Sequence, residues 1–133
     1  HEVIVAKRGE DFSAAVKKAT CGEGADVVID NVGSVAFEST RRSLAMGGRW
    51  IFVGQLTGDF VKLNPAQLFL RDISIKSAKS TSRSQLQDCL ELMRRGQVHP
   101  VISARYGLSG VVRAHHEVES GKSVGRILIK PGL

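Results

Sequence analysis

Two nearly continuous apolar runs, ADVVID at 25–30 and RWIFVG at 49–54, with a stretch of helical period between them, constrain this chain more than any other feature. A strand with one face in water alternates apolar and polar residues, whereas a strand covered by helices on both faces has no need to. Strands of the second kind, alternating with helices, predict a parallel sheet built from right-handed crossovers. The first run ends in Asp30, Asn31, Val32 and Gly33. That is how a buried strand looks when it delivers its last residues to a ligand.

The same reading extends along the chain. EVIV at 2–5 is a shorter apolar run, and Asp11 precedes a segment in which Phe12, Ala15, Val16 and Ala19 recur at i, i+3, i+4 and i+7. This predicts strand, capped helix and a turn at CGEG. After ADVVID, Ser34 is placed to cap a helix that carries Phe37 and Leu44 on one side and ends at Gly47-Gly48. Asn64-Pro65 predicts a short helix through AQLFL, and ISIKS at 73–77 alternates like an edge strand. Ser84 and Gln87 have capping-box spacing ahead of a stripe of Leu86, Cys89, Leu90 and Met93, which Gly96 terminates. A last helix is expected from Ser109 to Gly121, then GRILIK as a closing strand.

The 133 residues are 42% hydrophobic and 24% charged, so a single folded unit with an ordinary core is expected. No apolar run approaches the ~20 residues that span a bilayer, and the N-terminal stretch lacks the layout of a signal peptide. No membrane partner is expected, and the localisation expected is cytoplasmic. Cys21 and Cys89 lack CxxC spacing and are read as reduced thiols, leaving no metal-ligand motif. The net charge of +6 is spread along the chain, and the five Phe, one Trp and one Tyr are not interleaved with the basic pairs as a stacking surface requires. Nucleic acid is therefore a disfavoured partner.

In this order, GADVVIDNVG, LAMGGRWIFVG, LFLRDISIKS, LELMRRGQVHPVI and AHHEVESGKSVGRILI resemble the C-terminal half of a medium-chain dehydrogenase/reductase, the group of zinc-type alcohol dehydrogenases and quinone oxidoreductases. The resemblance covers almost the whole chain. It implies an α/β fold, a partial Rossmann-like parallel sheet with flanking helices that lacks the first βαβ unit. Residues 1–133 would then be the C-terminal part of a nicotinamide-nucleotide-binding domain, with the closing strand toward a catalytic domain. EVIV would correspond to the third strand of that sheet, pairing here beside ADVVID or with another copy of the chain. The glycine-rich pyrophosphate loop, the residue that separates NAD from NADP, and the family's zinc and proton-relay residues are not found in this sequence.

By position, the resemblance implies cofactor contacts at Asn31, Val32 and Gly33, at Val53, Gly54 and Gln55, and at Ala78, Lys79 and Ser80. General reasoning points to the same edge, since ligands of open parallel sheets sit outside the carboxyl ends of the strands. Gly33 and Gly54 either admit the close approach of a ring or ribose, or only turn the chain. Lys79 faces a phosphate or carboxamide, or water. Arg126 matches a basic position that the family carries before its last strand, near the cofactor phosphates, or else it lies on the surface of an edge strand. No catalytic residue and no metal ligand is assigned. His115 and His116 point about 100° apart on a helix. His115 is read as a structural histidine on the apolar stripe, and His99 as solvated beside Pro100.

The function implied is a fragment of an NAD(P)-dependent oxidoreductase that transfers hydride between nicotinamide and a small-molecule alcohol or aldehyde, quinone or activated alkene. Zinc belongs, if anywhere, to the full-length enzyme, and this chain alone is expected to be inactive. The alternatives are a noncatalytic nucleotide-binding or scaffold protein on the same fold and, further off, an RNA-binding protein. A homodimer through residues 73–77 is a related expectation, since family members often join subunits along the matching strand.

Overall fold

The computed structural model describes residues 1–78 and 80–132. The chain forms two compact units, His1–Ser80 and Thr81–Leu133, where composition suggests one. The physical basis is that each stretch carries its own parallel sheet and its own crossover helix.

The first unit contains α1 (Ser13–Ala19), β1 (Ala25–Asp30), a 3-10 turn at Gly33–Ala36, α2 (Phe37–Ser43), β2 (Leu44–Phe52), α3 (Ala66–Phe69) and β3 (Ser74–Ser77). The strands are parallel in the order β1-β2-β3, with Asp30 opposite Phe52 and Phe52 opposite Ser77. All three therefore end on one edge. The core is Phe37, Leu44, Trp50 and Ile73, with Val28, Phe52 and Leu68 packed against it. The Trp50 ring lies 4.8 Å from that of Phe37 and 4.7 Å from that of Phe52. Full burial of an apolar side chain of this kind contributes roughly 1.5–3 kcal/mol, so Phe37 is the main anchor of α2 on the sheet.

Two expectations need correction here. Helix α2 stops at Ser43, and Gly47-Gly48 lie inside β2, whose first residue, Leu44, is fully buried. Long-range bonds decide this: the Arg71 guanidinium donates to the carbonyls of Arg41 (3.2 Å) and Leu44, and Gly47 N–H donates to the Arg71 carbonyl at 2.9 Å. These bonds pull the chain straight before the glycines are reached. Nor does Ser34 cap a helix; its hydroxyl lies 2.8 Å from that of Thr57.

EVIV is the larger departure. Residues 2–5 form no strand and do not pair with β1, and Val3 and Val5 are 86% and 92% exposed. Val3 and Val5 stand in solvent, so no burial of apolar surface accompanies the ordering of this segment. Ordering its backbone costs ~1–2 kcal/mol per residue, and nothing buried offsets that cost. The segment leads instead into a turn in which Glu10 N–H donates to the Lys7 carbonyl and the Glu10 side chain accepts from Lys7 N–H.

The second unit contains α4 (Arg83–Arg94), β4 (Ile102–Tyr106), a 3-10 turn at Leu108–Gly110, α5 (Val111–Glu119) and β5 (Arg126–Ile129), with β4 and β5 parallel. The capping box at the start of α4 is Ser82 with Gln85, two residues before the pair expected from spacing. Strand β4 has no counterpart in the sequence reading. His115 is exposed and borders a small cavity with Ala114, Val118 and Ile127. Among the described residues no helix is long and apolar enough to cross a membrane.

Candidate functional site

The C-terminal edge of the first sheet gathers most of the residues singled out above. Asn31, Val32 and Gly33 directly follow β1, Val53, Gly54 and Gln55 directly follow β2, and Ala78 and Ser80 follow β3. Because the strands are adjacent and parallel, these segments are neighbours. The backbone ties them together: Val53 N–H and Gly54 N–H donate to the Asp30 carbonyl at 2.8 and 3.3 Å, Leu56 N–H to the Val32 carbonyl at 3.0 Å, and Ala78 N–H to the Phe52 carbonyl at 2.7 Å. Lys79 lies outside the described residues. Arg126 begins β5 in the second unit, with an exposed side chain and its N–H bonded to the Val101 carbonyl.

The two glycines differ. Gly33 is buried and left-handed, φ +76°, and a Cβ there would meet Gln55 at 3.0 Å. Gly54 is exposed, its φ lies outside the left-handed range, and a Cβ would meet only the Asn31 carbonyl oxygen at 3.6 Å, an ordinary contact. Gly33 is therefore required by the backbone. Gly54 is not, and the space beside it is open.

Two further residues, Thr57 and Asp59, join the site that sequence reasoning did not single out. Thr57 donates its hydroxyl to Asp59 at 2.6 Å, so its single proton is committed and Ser34, 2.8 Å away, must be the donor to Thr57. Gln55 Nε2 donates to the Asp59 carbonyl at 3.0 Å. This chain folds the loop after β2 over the turn after β1. Beside it lies a cavity of about 380 Å³ lined by Ser34, Phe37, Phe52, Gln55, Val61 and Ile75, within the usual range for a small-ligand pocket. Asp30, named above only as one of the strand-end residues, is a buried carboxylate at the end of β1.

A family model described as zinc-binding dehydrogenase matches residues 1–129. The chain belongs to the zinc-binding dehydrogenase family. This bears out the medium-chain dehydrogenase/reductase resemblance. The acryloyl-coenzyme A reductase of Sulfurisphaera tokodaii is 30% identical over 124 residues, a match that covers 92% of this chain and 36% of that protein. The crystal structure of AibC superposes with a TM-score of 0.85 at 33% identity, over 97% of this chain and 36% of that one. An NAD-dependent alcohol dehydrogenase superposes at 0.81 and 30% identity, over 92% of this chain and 36% of that one. The chain thus spans about a third of the length of the relatives it matches. As for the metal in the family's description, no group of three or more His, Cys, Asp or Glu side chains is gathered among the described residues, so these residues do not form a zinc site.

Proposed function

We propose that this chain is the C-terminal part of the nucleotide-binding domain of an NAD(P)-dependent oxidoreductase, and that Asn31–Gly33, Val53–Gln55, Ala78, Lys79 and Ser80 bind the nicotinamide end of the dinucleotide. The observation that carries the reading is the open space at Gly54, set between turns that follow adjacent parallel strands. A flat ring or ribose can approach backbone there without displacing a side chain. Family membership and the names of the relatives support the cofactor class, and the substrate is read at the same level, as a small alcohol or aldehyde, quinone or activated alkene.

The bound nicotinamide would supply the hydride-transfer chemistry. The residues of this chain bind and orient it: the three turns offer backbone groups and the Asn31 and Gln55 amides, while Phe52, Val61 and Ile75 wall the adjoining cavity with apolar surface. The outer edge of β3 has no strand partner among the described residues, and we read it as the seat of a second copy along residues 73–77.

The test is a fluorescence titration of the full-length enzyme that carries this chain with NADH and NADPH. Saturable binding of either, accompanied by turnover of an alcohol, quinone or enone, is expected. Binding of neither would overturn the reading, and binding without turnover of any such substrate would favour the scaffold alternative.

A further inference from the structure

Asp30 lies at the junction of the two turns just described, and it carries more hydrogen bonds than a strand-end residue needs. Its side chain is buried, 5% exposed, whereas the other carboxylate of β1, Asp26, is exposed. Oδ1 accepts the N–H groups of Val32 at 2.8 Å and Gly33 at 2.9 Å, and Oδ2 accepts the indole N–H of Trp50 at 3.1 Å. Its backbone carbonyl takes Val53 N–H and Gly54 N–H. One residue thus binds the turn after β1 through its carboxylate, the turn after β2 through its carbonyl, and the core through Trp50.

We propose that Asp30 is the positioning residue of the nucleotide site: its carboxylate holds the Asn31–Gly33 turn in register with the Val53–Gln55 turn and aims both at the ligand. The geometry gives each bond a consequence. An Asp oxygen that takes the N–H groups two and three residues on closes the turn locally and sets the left-handed conformation of Gly33. Without it, the buried N–H of Gly33 and the half-buried N–H of Val32 lose their partner and the turn must reorganise to satisfy them. Trp50 is fully buried between Phe37 and Phe52 and its indole N–H satisfies Oδ2 within the core, leaving Oδ1 to the turn. Asp30 touches no ligand itself and acts through Val32 and Gly33.

The proposal rests on the nucleotide-site reading above, and the experiment separates the two. In the full-length enzyme, NADH or NADPH affinity and the unfolding midpoint without nucleotide are measured for Asp30→Ala, Asp30→Asn and Trp50→Phe. Asp30→Ala should raise Kd by about 10-fold or more, equivalent to ~1.4 kcal/mol. Asp30→Asn keeps an oxygen for both amides while its NH2 faces the Trp50 N–H, donor against donor, so its midpoint should fall but its Kd should stay within about 3-fold of the unsubstituted enzyme. Trp50→Phe leaves Oδ1 in place; it should lower the midpoint yet stay within about 2-fold in Kd. Amide exchange in the unsubstituted, nucleotide-free enzyme is the measurement that does not depend on any variant folding, and Val32 and Gly33 should be protected. The proposal is overturned if those amides exchange like an open loop, if Asp30→Ala binds normally, if Asp30→Asn is as weak as Asp30→Ala, or if all three variants lose affinity in step with their midpoints. If the unsubstituted enzyme binds neither nucleotide, the site reading itself fails and takes this proposal with it, whatever the amides show.

Discussion

Gly33 and Gln55 meet across the ends of adjacent strands: a Cβ on Gly33 would lie 3.0 Å from both Cβ and Cγ of Gln55 and 3.2 Å from its Cα. The contact leaves room for hydrogen alone. It also shows why the two glycines of the site, alike in sequence context, are expected to respond differently to substitution.

Gly33→Ala should destabilise the fold. The φ of +76° disfavours any side chain, and the neighbour it would strike includes Gln55 backbone, which cannot simply rotate away. A loss of about 1–3 kcal/mol is expected from strain of this kind. The check is the unfolding midpoint without nucleotide, and an unchanged midpoint would show that the turn is not held as described.

Gly54→Val should do the reverse. Its backbone is outside the left-handed range and a Cβ finds ordinary contact, so the nucleotide-free midpoint should hardly move. If nicotinamide occupies the open space, the branched side chain takes its place, raising Kd by about 10-fold or more and removing most of the stabilisation that nucleotide adds. Unchanged affinity in a folded variant would remove the nucleotide from this position.

Ser82→Ala should loosen the start of α4. Ser82 Oγ accepts from Gln85 N–H at 3.2 Å while the Gln85 side chain accepts from Ser82 N–H at 2.8 Å. No residue of α4 is buried, so its first turn depends on this local pair more than on packing. Loss of such a cap costs about 1 kcal/mol, to be read as faster amide exchange across residues 83–86. Ser84→Ala, at the position that spacing alone suggested, removes the hydroxyl 2.9 Å from Ser82 Oγ but leaves the capping oxygen in place, so it should cost less than Ser82→Ala.

The contrast between those two serines shows what the sequence could and could not reveal. ADVVID coincides with β1 end to end, and Asn64-Pro65 does start a helix, with Asn64 Oδ1 accepting Ala66 N–H at 3.0 Å. In both cases the deciding chemistry lies within a few residues. Two of the failures, the end of α2 and the cap at Ser34, have the opposite property. Arg71 lies 27 residues from Leu44, whose carbonyl it captures, and Thr57 lies 23 residues from Ser34, whose hydroxyl it diverts from capping. Periodicity carries no trace of either bond. EVIV failed for a related reason, since an apolar run reports the capacity to pair and not the presence of a neighbour. The site was legible at the level of segments, because strand ends mark an edge in any parallel sheet. The role of Asp30 was not, because it depends on Trp50 and on the turn after β2.

The last prediction concerns pH and the second unit. The Tyr106 hydroxyl donates to Glu117 Oε2, Ser123 donates to Oε1 at 3.0 Å, and the Arg113 guanidinium lies 5.6 Å from the Tyr106 ring centre. The bond to Glu117, then desolvation and the carboxylate's charge, hold the phenol above its ordinary value of 10.0, with Arg113 opposing. The bonds from Tyr106 and then Ser123 hold Glu117 below its ordinary 4.5. The signs follow by linkage. Glu117, depressed on folding, adds stability that is present above its unfolded value and lost as pH falls through its folded one. Tyr106, raised on folding, adds stability that is complete below its unfolded value and lost as pH rises through its folded one. Tyr106→Phe should therefore shrink the acid limb of the stability profile and abolish the alkaline contribution together. Tyr106 is the one tyrosine of this chain, so its tyrosinate absorbance, taken as the difference from Tyr106→Phe where other tyrosines are present, reports it directly. The midpoint should lie above 10.0 and fall back toward it in Glu117→Gln. A midpoint at or below that value in the unsubstituted protein would mean that the hydroxyl and the carboxylate are not bonded in solution.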